Sequence, residues 1–168
     1  MSAAVANLRA WREAVPDDRM AHVLKETLRV MNRALQMRLA EHGLAVGHWV
    51  FLRVLWEHDG LTQRELSERA AVRDPTTYSA LLAMERLGLI RRERDPDNRR
   101  HVRVFLTPAG ADLKEVLVPL AIETNVIALR GVSERDEATV RRVLALMTAN
   151  LAADTAAWEA REDNLYLD

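Results

Sequence analysis

One stretch, residues 61–110, restricts the possible folds of this chain more than any other feature. Its first half contains two short helical patterns separated by a turn, and the second pattern ends at Gly88. A hairpin pattern follows at once, with six arginines and three acidic residues between Arg91 and Arg103. Two helices followed by a basic two-stranded ribbon is the order of a winged helix-turn-helix, so we predict that unit for residues 46–110.

Capping signals predict where the two helices begin. Thr62 and Glu65 have the spacing of a capping box, which predicts a short helix over residues 63–70. Asp74 followed by Pro75 predicts the start of the second helix. In that prediction Asp74 is the N-cap and Pro75 is the first helical residue, where its missing N–H costs nothing.

The second helix has the pattern of a recognition helix. Its inward face is predicted to carry Ala80, Leu81, Met84 and Leu87, and its opposite face is small and polar at the N-terminal end. A helix that enters a major groove and bonds base edges needs that character. We therefore predict DNA contacts from Arg73, before the helix, and from Thr76, Thr77, Tyr78 and Ser79 on it. The alternative is an ordinary helix surface with Tyr78 half in the core.

The hairpin supplies the second set of predicted DNA contacts. Arg99 and Arg100 at its tip are predicted to enter the minor groove, with Asn98 beside them. Arg94 and Arg103 on its strands are predicted to meet phosphates. The alternative is a solvated charged hairpin. Because the whole chain has a net charge of −1, so basic a segment favours a polyanionic partner that binds at one place.

The segments on either side of this unit are helical and apolar. Residues 1–45 contain a stripe that predicts one long helix with an N-cap at Asp17 or Asp18, and residues 46–58 are apolar on all sides. Residues 111–168 contain two further amphipathic helices, the last capped by Ser133. We therefore predict a mainly α fold with a small β-wing, in which residues 1–45 and 111–168 form dimerisation helices and the whole is one compact domain.

Composition excludes several classes of protein. The chain has no cysteine, so it has no disulfide, thiolate metal site or cysteine nucleophile. We find no pattern in it that predicts a membrane span, a signal peptide, a phosphate-binding glycine-rich loop or a Gly-x-Ser-x-Gly motif. We expect a cytoplasmic protein that does not bind membranes, is not an enzyme and has no cofactor.

Four short segments follow one another in a specific order: LTQREL at residues 61–66, LGLIRR at 87–92, DPDNRR at 95–100 and LTPAG at 106–110. Together they resemble the MarR family of bacterial transcriptional regulators. The resemblance implies a homodimer with intertwined terminal helices that binds double-stranded DNA at an inverted-repeat operator. It also implies a recognition helix in the major groove, a wing in the minor groove and a small-molecule effector, often an aromatic acid or its thioester. We expect a repressor that its ligand releases.

One position departs from the family pattern. The family usually has a second aspartate in the wing where this chain has Asn98, and that aspartate steadies the arginine that corresponds to Arg100. An amide accepts a hydrogen bond but carries no charge, which puts the orientation of Arg100 in doubt.

The effector site is the least specified part of the sequence. Arg38, His42 and Trp49 are candidates, because a cation beside tryptophan suits an aromatic carboxylate. The plain alternative is that Trp49 belongs to the core.

Two other functions remain open. A metal-responsive regulator would use histidines 22, 42, 48 and 58 with nearby carboxylates, although their spacing fits no metal motif. A winged helix that binds protein is the other.

Overall fold

A computed structural model of the chain describes residues 19–94 and 102–165, without the side chains of 162–165. Within those ranges the chain forms six helices and one three-stranded antiparallel sheet. In chain order these are α1 Met20–Ala40, α2 Val46–Glu57, β1 Leu61–Thr62, α3 Gln63–Ala70, α4 Asp74–Arg86, β2 Ile90–Arg94, β3 Val102–Leu106, α5 Pro108–Ala128 and α6 Glu134–Leu165. The prediction of a mainly α fold with a small β-wing is confirmed.

The chain divides into two units, one that ends at Val126 and one that begins at Ile127. The first contains α1 to β3 and most of α5, and the second contains α6. The predicted roles of residues 1–45 and 111–168 in dimerisation, and of residues 46–110 in DNA binding, stay predictions. The predicted N-cap at Asp17 or Asp18 lies outside the described residues.

Helix α2 is the centre of the core. Its side chains Phe51, Leu52 and Leu55 are almost wholly buried, as the apolar character of residues 46–58 predicts. Around them lie buried side chains from every other element of the first unit except β1: Leu39, Leu66, Leu81, Met84, Ile90, Val104 and Leu117. Burial of each such side chain contributes roughly 1.5–3 kcal/mol, so this core fixes the helix-turn-helix against α1 and α5.

The capping box of α3 is confirmed. The Thr62 hydroxyl accepts from the Glu65 N–H at 3.3 Å, and the Glu65 carboxylate accepts from the Thr62 N–H at 2.7 Å. The start of α4 differs from the prediction by one residue. Arg73 is the N-cap and Asp74 is already helical, so Asp74 does not cap the helix. Pro75 still lies in the first turn, where an N–H is dispensable.

The sheet has the strand order β1-β3-β2. Val104 in the middle of β3 is opposite both Leu61 and Arg92, and it is fully buried. Strand alternation predicts that Val102 shares this buried face, but 40% of Val102 is exposed. It lies at the outer end of the hairpin, beyond the core. Leu87, predicted to face inward, is 49% exposed because α4 ends at the preceding residue.

Helix α5 begins in close contact with the helix-turn-helix. The Trp56 indole N–H donates to the Gly110 carbonyl at 2.9 Å. A Cβ at Gly110 would overlap the carbonyl oxygen of Leu89, so only glycine permits this approach. None of the helices in residues 19–94 and 102–165 has both the length and the apolar character that a membrane span needs.

Candidate nucleic-acid interface

The N-terminal part of α4 presents an open polar surface. Arg73, Thr76 and Ser79 are exposed, and half of Tyr78 is exposed as well. The Ser79 hydroxyl donates to the Thr76 carbonyl at 2.9 Å, which leaves its oxygen able to accept. Four of the five residues predicted on and before this helix are therefore accessible together, as contact with a DNA groove requires.

Thr77 is the exception, and its predicted DNA contact is wrong. Its side chain is fully buried. The Thr77 hydroxyl accepts from the Ser67 hydroxyl at 2.9 Å and donates to the Arg73 carbonyl at 3.2 Å. Successive helical residues are about 100° apart, so four consecutive side chains cannot all face one groove. Thr77 instead joins α4 to α3.

The arginines on the strands differ in their surroundings. Arg94 is exposed at the end of β2, as a phosphate contact requires. Arg103 on β3 is half-buried, and its guanidinium donates to the Gly60 carbonyl at 3.0 Å. Arg103 therefore also holds the loop before β1 against the hairpin. The predicted tip contacts, Asn98, Arg99 and Arg100, lie outside the described residues.

Two charged residues that the sequence reasoning missed join α4 to the hairpin. Arg92 on β2 bonds the carboxylate of Glu85 through two nitrogens, at 2.6 and 3.0 Å. Its guanidinium also lies 5.9 Å from the centre of the Tyr78 ring. Hydrogen bonding to Glu85 raises the pKa of Arg92. Strand alternation was a usable signal, since Arg92 must share the face of Ile90, which is the core face.

A cavity of about 480 Å³ lies within the first unit, between α1, α2 and α5. Trp49 and Trp56 form part of its wall, with ring centres 5.7 Å apart and planes at 70°. Its polar lining includes Asn32, Arg53, Glu57, Lys114 and Asn125. Trp49 is also 7% exposed, so the core interpretation and the cavity-wall interpretation of this residue both hold.

The other two predicted pocket residues do not line this cavity. Arg38 forms an ion pair with Glu123 at 3.1 Å, and this hydrogen bond raises the pKa of Arg38. This ion pair links α1 to α5. His42 is exposed just beyond the end of α1. The structure therefore does not bring Arg38 and His42 to the cavity beside Trp49, and a ligand contact from any of the three stays a prediction.

The histidines considered for a metal site do not come together. Over the parts of the chain that the structure describes, no group of three or more histidine, aspartate or glutamate side chains is placed to hold a metal ion. His48 has a structural role: its Nδ1 accepts from the Ala45 N–H at 3.2 Å at the start of α2. Burial lowers the pKa of His48, which favours the neutral form that this acceptor needs.

Comparison with known proteins identifies the fold. A family model described as MarR family matches residues 44–102. The organic hydroperoxide resistance transcriptional regulator of Bacillus subtilis is 30% identical over 104 residues, which are 62% of this chain and 71% of that protein. The chain belongs to the MarR family. Its class is therefore that of DNA-binding transcriptional regulators, which are not enzymes.

Two other MarR-type proteins show how far the similarity extends. The transcriptional regulator TtmR of Methylorubrum extorquens is 33% identical over 98 residues, 58% of this chain, and the match spans only half of TtmR. A MarR regulator of Listeria monocytogenes, solved with a 26mer DNA, has a TM-score of 0.73 at 22% identity. That alignment covers 82% of this chain and 91% of the Listeria chain, and at this identity it supports the fold alone.

Proposed function

We propose that this MarR-family chain is a homodimeric repressor that binds an inverted-repeat operator through α4 and the arginine hairpin. The observation that carries the proposal is the accessible polar end of α4, with the exposed Arg94 on the adjoining hairpin. The polar end suits base edges in a major groove, and the arginine suits a phosphate.

The apolar surface of α6 supports the dimer. Within the second unit, Val140, Leu144 and Leu151 are spaced by four and then seven residues, as on one face of a helix, and are 54%, 36% and 65% exposed. A stripe of this kind on a 32-residue helix favours pairing with another helix. In a twofold dimer the two copies of α4 lie about 34 Å apart, one DNA turn, so each operator has two half-sites.

The test combines selection of DNA with footprinting. Duplexes of about 30 base pairs with random sequence, long enough for two half-sites, are selected by the purified chain. Light scattering measures its mass before and after addition of the selected duplex. We expect a dimer that protects two inverted half-sites. A protected single asymmetric half-site, or a monomer on the DNA, would contradict the proposal.

A salt series separates this proposal from a winged helix that binds protein. Contacts between arginine and phosphate release counterions, so the affinity for duplex DNA falls steeply as salt rises. Arg135→Ala in α6 serves as the control, since it removes one exposed positive charge in the second unit. We expect this variant to retain the affinity and salt slope of the parent. Affinity that does not depend on salt would exclude a phosphate-binding surface.

The cavity is the proposed effector site. About 480 Å³ is enough for a small organic ligand, and two tryptophan rings with Arg53 and Lys114 nearby suit an aromatic acid or the acyl end of its coenzyme A thioester. Calorimetric titration with a panel of such compounds tests this, followed by displacement of the selected duplex. We expect binding and release of DNA. If no compound binds, the protein acts as a constitutive regulator.

A further inference from the structure

One arginine of the hairpin faces the recognition helix instead of solvent. Tyr78 and Glu85 are seven residues apart on α4, two turns, so they share a face. Arg92 of β2 contacts both: it bonds the Glu85 carboxylate at 2.6 and 3.0 Å, and its guanidinium lies 5.9 Å from the Tyr78 ring centre. These polar and cation–π contacts run directly from the hairpin to α4, beside the apolar contact that Ile90 makes through the core.

The charge of Arg92 is balanced inside the protein. Its side chain is 22% exposed, and the Glu85 carboxylate accepts two of its N–H groups. Arg94 is two residues further along the same face of β2, and it is exposed. Glu85 balances the charge of this guanidinium and holds two of its N–H groups at one carboxylate oxygen, so a phosphate gains less from Arg92 than from the exposed Arg94. The two arginines therefore have different roles on one strand.

We propose that Arg92 is a positioning residue for DNA recognition, which fixes the Tyr78 ring on the groove-facing side of α4 and sets the distance between α4 and the hairpin. The inference rests on the proposed function, because it assumes that α4 and the hairpin contact one duplex together. Both elements fit a major groove and the adjacent minor groove only at one spacing. Arg92 increases affinity by holding that spacing in the free protein.

A positioning residue and a phosphate contact predict different behaviour with salt. Each lost phosphate contact makes the negative slope of log K against log salt less steep by about 0.9, so a homodimer that loses one contact per subunit changes by about 1.8, and binding to all sequences weakens alike. Loss of a positioning residue lowers the affinity for the selected sequence and leaves the slope unchanged. Binding to a mixed-sequence duplex, which depends on phosphate contacts, changes little.

The experiment measures affinity for the selected duplex and for a mixed-sequence duplex over a salt series. The variants are Arg92→Ala, Arg92→Lys, Glu85→Gln, the double variant Glu85→Gln/Arg92→Ala and the matched control Arg94→Ala. Lysine keeps the charge of Arg92 but lacks the planar guanidinium that donates two N–H groups to one Glu85 oxygen and lies beside the Tyr78 ring. Thermal melting checks that each variant is folded. If Arg92→Ala does not fold, Arg92→Lys and Glu85→Gln test the same ion pair with smaller changes.

We expect Arg92→Ala to bind the selected duplex about tenfold more weakly with the slope of the parent, and Arg92→Lys to recover little of that loss. The double variant should bind no more weakly than Arg92→Ala, because Glu85 acts through Arg92. Arg94→Ala should make the slope less steep and weaken binding to both duplexes.

Three results would overturn the proposal. The first is an Arg92→Ala variant with the parent's affinity for the selected duplex. The second is a slope that becomes less steep as it does in Arg94→Ala, together with recovery by lysine, which would make Arg92 a phosphate contact. The third is a parent chain that binds no duplex at all, and this result alone refutes the proposed function as well.

Discussion

Replacement of Thr77 by valine tests whether this residue has a structural role or contacts DNA. Valine has nearly the same shape as threonine, so the change opens no cavity. It removes the hydroxyl that accepts from Ser67 and donates to the Arg73 carbonyl. Ser67 is 4% exposed and Thr77 is fully buried, so the Ser67 hydroxyl loses its acceptor where water does not replace it. A buried group left in this way costs about 1–3 kcal/mol, and we expect a loss of about 2 kcal/mol.

Urea denaturation at one fixed protein concentration measures this loss, since the stability of a dimer depends on concentration. A chain of this size should also melt roughly 4–8 °C lower. Thr76→Val is the matched control, because Thr76 is the exposed neighbour on the same turn. We expect Thr76→Val to retain stability and to lose affinity for the selected duplex, and Thr77→Val to do the reverse at temperatures well below its melting point.

A double variant checks the physical reason. In Ser67→Ala/Thr77→Val both partners of the buried hydrogen bond are absent, and no hydroxyl is left without an acceptor. This variant should be more stable than Thr77→Val alone. A loss below about 0.5 kcal/mol in Thr77→Val, or a loss of DNA affinity equal to that of Thr76→Val, would refute the reasoning.

Three further changes have defined outcomes. Arg100→Ala should weaken operator binding at least about tenfold and leave the dimer intact, as gel shifts at controlled salt and light scattering would show. Gly110→Ala should lower the melting temperature measured by circular dichroism, because its Cβ overlaps the Leu89 carbonyl and α5 must shift. In Glu65→Ala the free energy of unfolding should fall less steeply as the pH is lowered into the acid range. The Thr62 N–H lowers the pKa of Glu65, so its stabilisation is complete above the unfolded-state value of about 4.5 and is lost as pH falls through the lower folded pKa. Melting temperatures measured from neutral to acid pH test this prediction. It is contradicted if they fall equally with pH in the parent and in the variant.

Local signals in the sequence were enough to predict the fold. The capping box of Thr62 and Glu65 and the cap at Ser133 depend on neighbours within three residues, and the structure has both. The largely apolar α2 is buried on its core side, as its composition predicts, while Arg53 and Glu57 leave its other side exposed. Where contacts came from distant parts of the chain, the predictions were less accurate. Thr77 reads as a polar surface residue, and only its approach to Ser67 on another helix shows that it is buried.

The cavity illustrates the same limit. Trp49 was found because its residue type suits a ligand, but its neighbours Lys114 and Asn125 come from a helix more than 60 residues further along the chain. Arg38 carries the positive charge that an aromatic acid needs, but in the structure it forms an ion pair with Glu123 on that same distant helix. Periodicity shows which face of a helix is apolar, and it does not show which helix lies opposite.

The arginines of the hairpin also have partners that the sequence alone does not show. The charge count suggests six equivalent phosphate ligands, but those described differ in what they bind. Arg91 lies 4.9 Å from the Phe105 ring centre and donates to the Leu106 carbonyl at 2.8 Å, and Arg92 pairs with Glu85. Arg103 donates to the Gly60 carbonyl. Because these guanidinium groups already have partners within the protein, the dependence of DNA binding on salt should be weaker than six free arginines per subunit would give. These contacts join β2 to β3, to α4 and to the loop before β1, so we expect them to hold the described base of the hairpin in place before DNA binds.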